Sequence, residues 1–147
     1  MKLRVGITIG ASPAQVWRVI EPIERHIDWM ADAVSITFTG ASRRGVGTSF
    51  DCVTRIGPLR TIDRMTVTEW EPHRAMGIEH HGVVTGRGRF TLRGRPRART
   101  RFTWTEQLTF PWWMGGAAGA LAARPVLRAV WRRNLRRLKR LVEGDDR

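Results

Sequence analysis

The stretch "RFTWTEQLTFPWWMGG", residues 101–116, carries two signals that together decide the fold. Its first ten residues alternate, with Phe102, Trp104, Leu108 and Phe110 on one face and Arg101, Thr103, Thr105 and Gln107 on the other, the period of a half-buried β-strand. A proline and two glycines then break the alternation, and the period changes. From Pro125 onward, Leu127, Trp131, Leu135, Leu138 and Val142 recur every three or four positions through "PVLRAVWRRNLRRLKRLVEG", which predicts a final helix opening at Pro125 and ending at Gly144. An aromatic strand face followed by an apolar helix stripe calls for packing one on the other.

The chain before this stretch supplies the rest of a sheet. "LRVGITI" alternates Leu3, Val5, Ile7 and Ile9 against Arg4, Gly6 and Thr8. Ser12 and Pro13 form an N-cap and first helical position for a short helix bearing Val16, Trp17, Val19 and Ile20. Pro22 restarts a second one through Ile23, Ile27, Trp29 and Met30. Then come "VSITFTG", with Val34, Ile36 and Phe38 on one face, and "GTSFDCVTRIG", with Phe50, Cys52, Thr54 and Ile56 on one face. "LRTIDRMTVTEW", "RAMGIEHHGV" and "GRGRFTLRG" come next, parted by turn-forming groups. Turns of a few residues join only antiparallel neighbours. The expectation is an α+β fold: a seven-stranded curved antiparallel sheet, two short helices after the first strand, and a long C-terminal helix as its cover. No linker or repeat interrupts residues 1–147, so one domain is expected.

Composition narrows the function classes. The net charge of +13 invites a nucleic-acid reading, but 24 of the 26 basic residues are arginines scattered over every predicted element, a skew that genome composition also produces. No zinc-finger spacing, RNP-type aromatic pattern or helix-turn-helix accompanies them, which argues against nucleic acid. Cys52 is the only cysteine, leaving no internal disulfide and no zinc site. "GASRRGVG" and "GRGRF" do not join a strand to a helix as a phosphate cradle must. No apolar run approaches the roughly 20 residues of a membrane span, and "ASPAQVW" reads as a helix start rather than the end of a leader, so a cytoplasmic protein is expected.

The element order, "ASPAQVWRVI" after the first strand, "VTEWEPHRAM" between the middle strands and "FPWWMGG" before "RRNLRRLKRLVEG" resemble the helix-grip superfamily of START lipid-transfer domains, the birch-pollen allergen and bacterial polyketide cyclases. The chain is most similar to the polyketide cyclase/dehydrase and lipid-transport branch. The resemblance covers nearly the whole chain and implies a curved sheet gripping the C-terminal helix around a largely apolar cavity. It also implies that the partner is a small hydrophobic or aromatic molecule, polyketide- or lipid-like, held without cofactor or metal.

Alternation identifies the polar groups that enter such a cavity. Glu106 shares the face of Phe102, Trp104, Leu108 and Phe110, where a carboxylate costs several kcal/mol unless it is paired. A turn near Arg95 places Leu92 opposite Phe102, Phe90 opposite Trp104 and Gly88 opposite Glu106. A turn near Val83 to Thr85 would put Ile78 beside Phe90 and His80 beside Gly88. His80, Gly88 and Glu106 then form one row, with the outer two backbones roughly 10 Å apart. Asp63 falls near His80 if Met65 and Val67 set the phase of its strand, whereas Ile62, Thr66 and Trp70 make a competing face, and a bulge would reverse the assignment. His80 and Glu106, oriented by Asp63, are the candidate acid/base group. Mutual satisfaction of buried polar groups is the alternative.

The candidate cavity wall comprises Phe50, Cys52, Met76, Ile78, Phe90, Leu92, Phe102 and Trp104, closed by Leu127, Trp131, Asn134 and Leu138 from the helix. Asn134 would either bond a ligand or cap backbone. Trp112 and Trp113 would fold over the mouth as a lid on Gly115, Gly116 and Gly119, pack beneath the helix, or, with the basic helix face, touch an anionic membrane. His26 and Asp28 read as solvated residues near the entrance, His81 and Glu79 as outward-facing, and His73 as part of a turn, so no histidines converge on a metal.

Overall fold

The computed structural model describes residues 1–144; residues 145–147, assigned to the same domain from sequence, lie outside the described residues. The chain runs β1 (Lys2–Ile9), α1 (Pro13–Ile20), a 3₁₀ turn (Ile23–Asp28), β2 (Ala33–Phe38), β3 (Ser49–Ile56), β4 (Leu59–Glu71), β5 (Ala75–His81), β6 (Thr85–Arg95), β7 (Arg99–Thr109), a 3₁₀ turn (Trp112–Met114) and α2 (Gly116–Glu143). All seven strands form one antiparallel sheet in the order β1-β7-β6-β5-β4-β3-β2. Consecutive strands from β2 to β7 are neighbours, and β1 is added beside β7. The expected α+β architecture is the one observed.

Each element arises from its local chemistry. Ser12 accepts from the Gln15 backbone while the Gln15 side chain accepts from the Ser12 backbone, a capping box that starts α1 and turns Val16, Trp17 and Ile20 onto the core. The apolar stripe of α2 buries Trp131, Leu135 and Leu138 against the sheet, each contributing roughly 1.5–3 kcal/mol. The Trp131 indole stacks on Trp104 of β7 with centroids 5.1 Å apart and planes 24° from parallel. At its far end α2 is tied to the first strand and the turn after it: Lys139 Nζ donates to the Thr8 carbonyl at 3.1 Å, and Gly10 N–H donates to Glu143 Oε2 at 2.7 Å.

Three sequence readings are corrected, and an open one, the phase of β4, is resolved. The final helix begins at Gly116, not Pro125. The alanine-rich run before the proline has high helical propensity, and Leu121 and Pro125 are both exposed, so water can serve the carbonyl that Pro125 leaves without a donor. The second short helix is 3₁₀, with three residues per turn, so His26 joins Ile23 and Trp29 on the inner side while Ile27, expected there, is exposed; His26 is buried rather than solvated. In β2 a bulge between Ala33 and Ser35 pushes Val34 outward, where it is 51% exposed, and leaves Ala33, Ile36 and Phe38 on the inner side. In β4 a bulge between Val67 and Glu69 lets Asp63, Met65 and Val67 face inward before it and Trp70 pack on Trp17 after it, so both competing faces exist in turn.

Pro125→Ala should restore the missing helical hydrogen bond and raise stability by about 1–3 kcal/mol in thermal or denaturant unfolding. An unchanged or lowered midpoint would show that the proline suits the bend of this helix.

Candidate functional site

The space between sheet and helix is not filled. A cavity of about 340 Å³ is walled by Phe50, Cys52, Met76, Ile78, His80, Phe90, Trp104 and Glu106 from the sheet and by Leu127 and Trp131 from α2, all expected there. The hairpin at β6 and β7 has the expected register, with Leu92 opposite Phe102, Phe90 opposite Trp104 and Gly88 opposite Glu106. The β5–β6 register is displaced by two residues from expectation: Met76 pairs with Phe90, Ile78 with Gly88 and His80 with Gly86. A shift of two keeps every side chain on its face, so His80 still points inward and lies diagonal to Glu106 across β6.

Glycine at position 88 makes that diagonal passable. A Cβ there would lie 2.5 Å from Glu106 Oε1, so the carboxylate occupies the space that any other residue would claim. Across it, His80 Nε2 donates to Glu106 Oε2 at 3.0 Å. The indole Nε1 of Trp104, two residues earlier on the same strand face, donates to Glu106 Oε1 at 2.9 Å. Both oxygens of the buried carboxylate are therefore served, which offsets the cost of placing it on an apolar face. The two side chains are only 11% and 5% exposed.

Burial alone would lower the His80 pKa, but the hydrogen bond and charge of Glu106, with the charge of Asp63 in addition, outweigh it and hold it above the ordinary histidine value. Asp63 is buried on the cavity wall beside Met65, whose backbone partner is His80. Its Oδ1 is buried with no hydrogen-bond partner among the described residues, and burial pushes its pKa up against the opposing charge of His80. The structure thus gathers Asp63, His80 and Glu106 along one part of the wall.

Other expected wall residues are placed elsewhere. Leu92, Phe102 and Leu138 are buried but off the cavity. Trp29, fully buried, packs edge-on against Phe102 and Trp104 and tilted against Phe90, and so fills that end of the grip. Asn134 bonds protein rather than facing the lumen: its Nδ2 donates to Asp32 Oδ1 at 2.6 Å and its Oδ1 accepts from Ala31 N–H at 3.0 Å. Trp112 and Trp113 do not close the mouth; they are 87% and 62% exposed, while Met114 and Phe110 line it.

Several wall residues were not expected from sequence, Asp32 and His26 among them. Asp32 reaches the cavity because Asn134, distant in sequence, holds it there, a contact no local pattern encodes. His26 reaches it through the three-residue period of its turn, with Nε2 donating to the Ile20 carbonyl at 2.7 Å. The His26–Trp29–Phe90 cluster excludes water, and burial lowers the His26 pKa to about 4. Asp28, also read as a solvated residue of this turn, pairs with Arg25 at 2.9 Å on the surface. Among the described residues no group of His, Cys, Asp and Glu could hold a metal ion.

Because the folded chain refuses a proton at His26 that the unfolded chain accepts below about pH 6.5, stability is lost as pH falls from 6.5 toward 4, by up to about 3 kcal/mol from this group. His26→Gln, which can still donate to Ile20, should flatten that part of the stability–pH curve relative to the parent in denaturant titrations. Identical slopes would show that His26 titrates normally.

Comparison with known proteins agrees with this architecture. The described fold superposes on a Thermus thermophilus protein with a TM-score of 0.81 at 16% identity, covering 100% of each chain. It superposes on the Zhui aromatase/cyclase of a Streptomyces species with a TM-score of 0.76 at 17% identity, covering 100% of this chain and 96% of that one. A Bacillus cereus protein, XoxI, gives 0.76 at 14% identity over 99% and 98% of the two chains. No curated protein matches the chain by sequence. The family described as polyketide cyclase/dehydrase and lipid transport matches residues 1–143, and the chain, with its sheet, grip helix and enclosed cavity, belongs to that family.

Proposed function

We propose that the protein encloses a small hydrophobic or aromatic molecule in its cavity and performs acid/base chemistry on it with His80 and Glu106. The observation that carries this reading is the 3.0 Å hydrogen bond between these two buried side chains on the wall of an otherwise apolar cavity. Family membership and the likeness to an aromatase/cyclase support it. Apolar contact with Phe50, Phe90, Trp104 and Trp131 would supply most of the affinity, and the polar group would fix orientation.

The chemistry suited to the pair is removal of a proton beside a ketone. Glu106, anchored by Trp104, takes the α-proton and an enol or enolate forms. Where the neighbouring carbon bears a hydroxyl, the C=C bond forms as the C–O bond breaks. The His80 imidazolium then gives its proton to the departing oxygen, which leaves as water. Return of the abstracted proton from Glu106 to His80 across their hydrogen bond restores the starting state. Asp63 is the positioning residue, its charge helping to keep His80 protonated. Cyclisation of a polyketide-like chain uses the same enolate as its nucleophile.

A second reading rests on the exposed surface at the mouth. Trp112, Trp113, Leu121 and Val126 are 87%, 62%, 66% and 53% exposed, and Val126 also lines the cavity. No acidic residue lies between Glu106 and Glu143, while Arg124, Arg128, Arg132 and Arg133 do. This patch belongs to the first half of α2 and the turn before it, leaving the stripe at Trp131, Leu135 and Leu138 to cover the sheet. It fits an anionic membrane surface from which an apolar ligand could be taken up. Among the described residues no helix is long and apolar enough to cross a membrane.

Deuterium exchange at the α-carbon of phenylbutanedione, monitored by NMR, tests the chemistry: His80→Ala and Glu106→Gln, assayed below their melting temperatures, should each slow catalysed exchange by about a hundredfold or more. Exchange equal to the parent in both variants removes the enzyme and leaves a carrier. For the second reading, co-sedimentation with phosphatidylcholine/phosphatidylglycerol vesicles should exceed that with phosphatidylcholine alone, fall at high salt and be lost in Trp112→Ala/Trp113→Ala. Absence of sedimentation with either vesicle sinks it.

A further inference from the structure

The polar groups of the cavity wall are unbalanced in a way that selects the ligand's polar end, a selection that rests on the cavity being the ligand site. Three carboxyl groups line it, those of Asp32, Asp63 and Glu106. Glu106 is served by Trp104 and His80, and Asp32 Oδ1 accepts from Asn134. Among the described residues nothing serves Asp63 at Oδ1, although the residue is only 9% exposed. His26 uses its Nε2–H on the Ile20 carbonyl, and its low pKa leaves the other ring nitrogen unprotonated, a further acceptor.

Donors are scarce by comparison. Arg89 is the one lysine or arginine among the wall residues, and its guanidinium is committed to Glu69 at 2.6 and 3.0 Å, on the outer side of the sheet. The Cys52 thiol lies against the Val53 carbonyl and the Thr54 hydroxyl, and burial raises its pKa to about 11. The single cationic group within the wall, His80, is already paired with Glu106. A protein of net charge +13 therefore encloses a lumen in which carboxyl groups exceed cations.

We propose that the cavity takes ligands whose polar end donates hydrogen bonds and bears no negative charge, ammonium groups best, phenolic or enolic hydroxyls next, and that it turns carboxylates away. An entering donor meets the Asp63 carboxyl group on the wall, which makes no side-chain hydrogen bond to another described residue, and a charge-assisted bond there is stronger than a neutral one. An ammonium also gains from the aromatic faces of Trp104, Trp131 and Phe90. A carboxylate would lose its hydration beside three carboxyl groups, with His80, whose charge Glu106 already balances, as the one cation facing it. A polyketide-like chain fits as its enol, and a fatty acid does not fit. Burial is the first cause of the upward pKa shifts of both Asp32 and Asp63, which marks them as carboxyl groups held out of water on this wall.

The test uses one apolar body with four ends: naphthalene, naphthol, naphthoate and naphthylmethylammonium, titrated calorimetrically into the parent and into Asp63→Asn at physiological salt. The expected order is ammonium, hydroxyl, carboxylate, with ammonium at least about tenfold tighter than carboxylate. Asp63→Asn should cut that ratio severalfold while leaving naphthalene itself within about twofold. The exterior arginines favour the opposite order, so naphthoate binding as tightly as the ammonium overturns the proposal even if Asp63→Asn fails to fold. A full ammonium preference that survives in folded Asp63→Asn overturns the role of Asp63. No binding of any probe, naphthalene included, would instead remove the cavity as the ligand site.

Discussion

The Trp104–Trp131 stack joins the inner face of the last strand to the long helix, and the rest of the molecule is arranged around the need for that contact. An antiparallel sheet with one aromatic face cannot leave it in water, and α2 is the element long enough to cover it. The helix is held by Trp131 on Trp104, Asn134 on the Ala31–Asp32 loop, Arg137 on the Asp28 carbonyl, and Lys139 with Glu143 at the end of β1. Because these supports sit from residue 131 onward, the earlier half of α2 stands over the sheet without filling the space beneath it. The cavity is the volume left between.

The same indole that anchors the helix also donates to Glu106. Packing and chemistry thus share a residue: Trp104 places its ring against Trp131 and its N–H on the carboxylate two positions along the strand. His80 completes the pair from two strands away, reaching over glycines of β6 that contribute no side chain to the inner face. A buried carboxylate in an apolar wall is costly unless its oxygens are served, and here the groups that serve it also make it a candidate base with a proton donor in contact. The outward arginines, such as Arg89 with Glu69 and Arg64 with Asp51, stay in solvent-exposed pairs that leave the lumen's charge balance untouched.

Much of the site is legible in the sequence, for a simple reason. In strands the side-chain period is two, so Glu106, His80, Phe90 and Trp104 declare their common face from the alternation of their neighbours. Asp63 is legible only in outline, because the bulge after Val67 makes both phases of β4 real over different segments. His26 escapes a reading at the α-helical period because its segment winds with three residues per turn. Pro125 resembles a helix start because proline favours first turns, yet here it lies within a helix whose exposed side tolerates the lost bond.

By itself the sequence determined the element types, the antiparallel order of short-turned strands, the inward face of each regular strand and the presence of one carboxylate where an apolar residue belongs. Tertiary structure alone decided the two-residue displacement of β5 against β6, since a shift of two preserves the face pattern and leaves no trace in it. It also decided that Trp29 fills one end of the grip, and that Asn134 turns away from the lumen to hold Asp32 in it. Those outcomes depend on contacts between residues far apart in the chain, about which local periodicity carries no information.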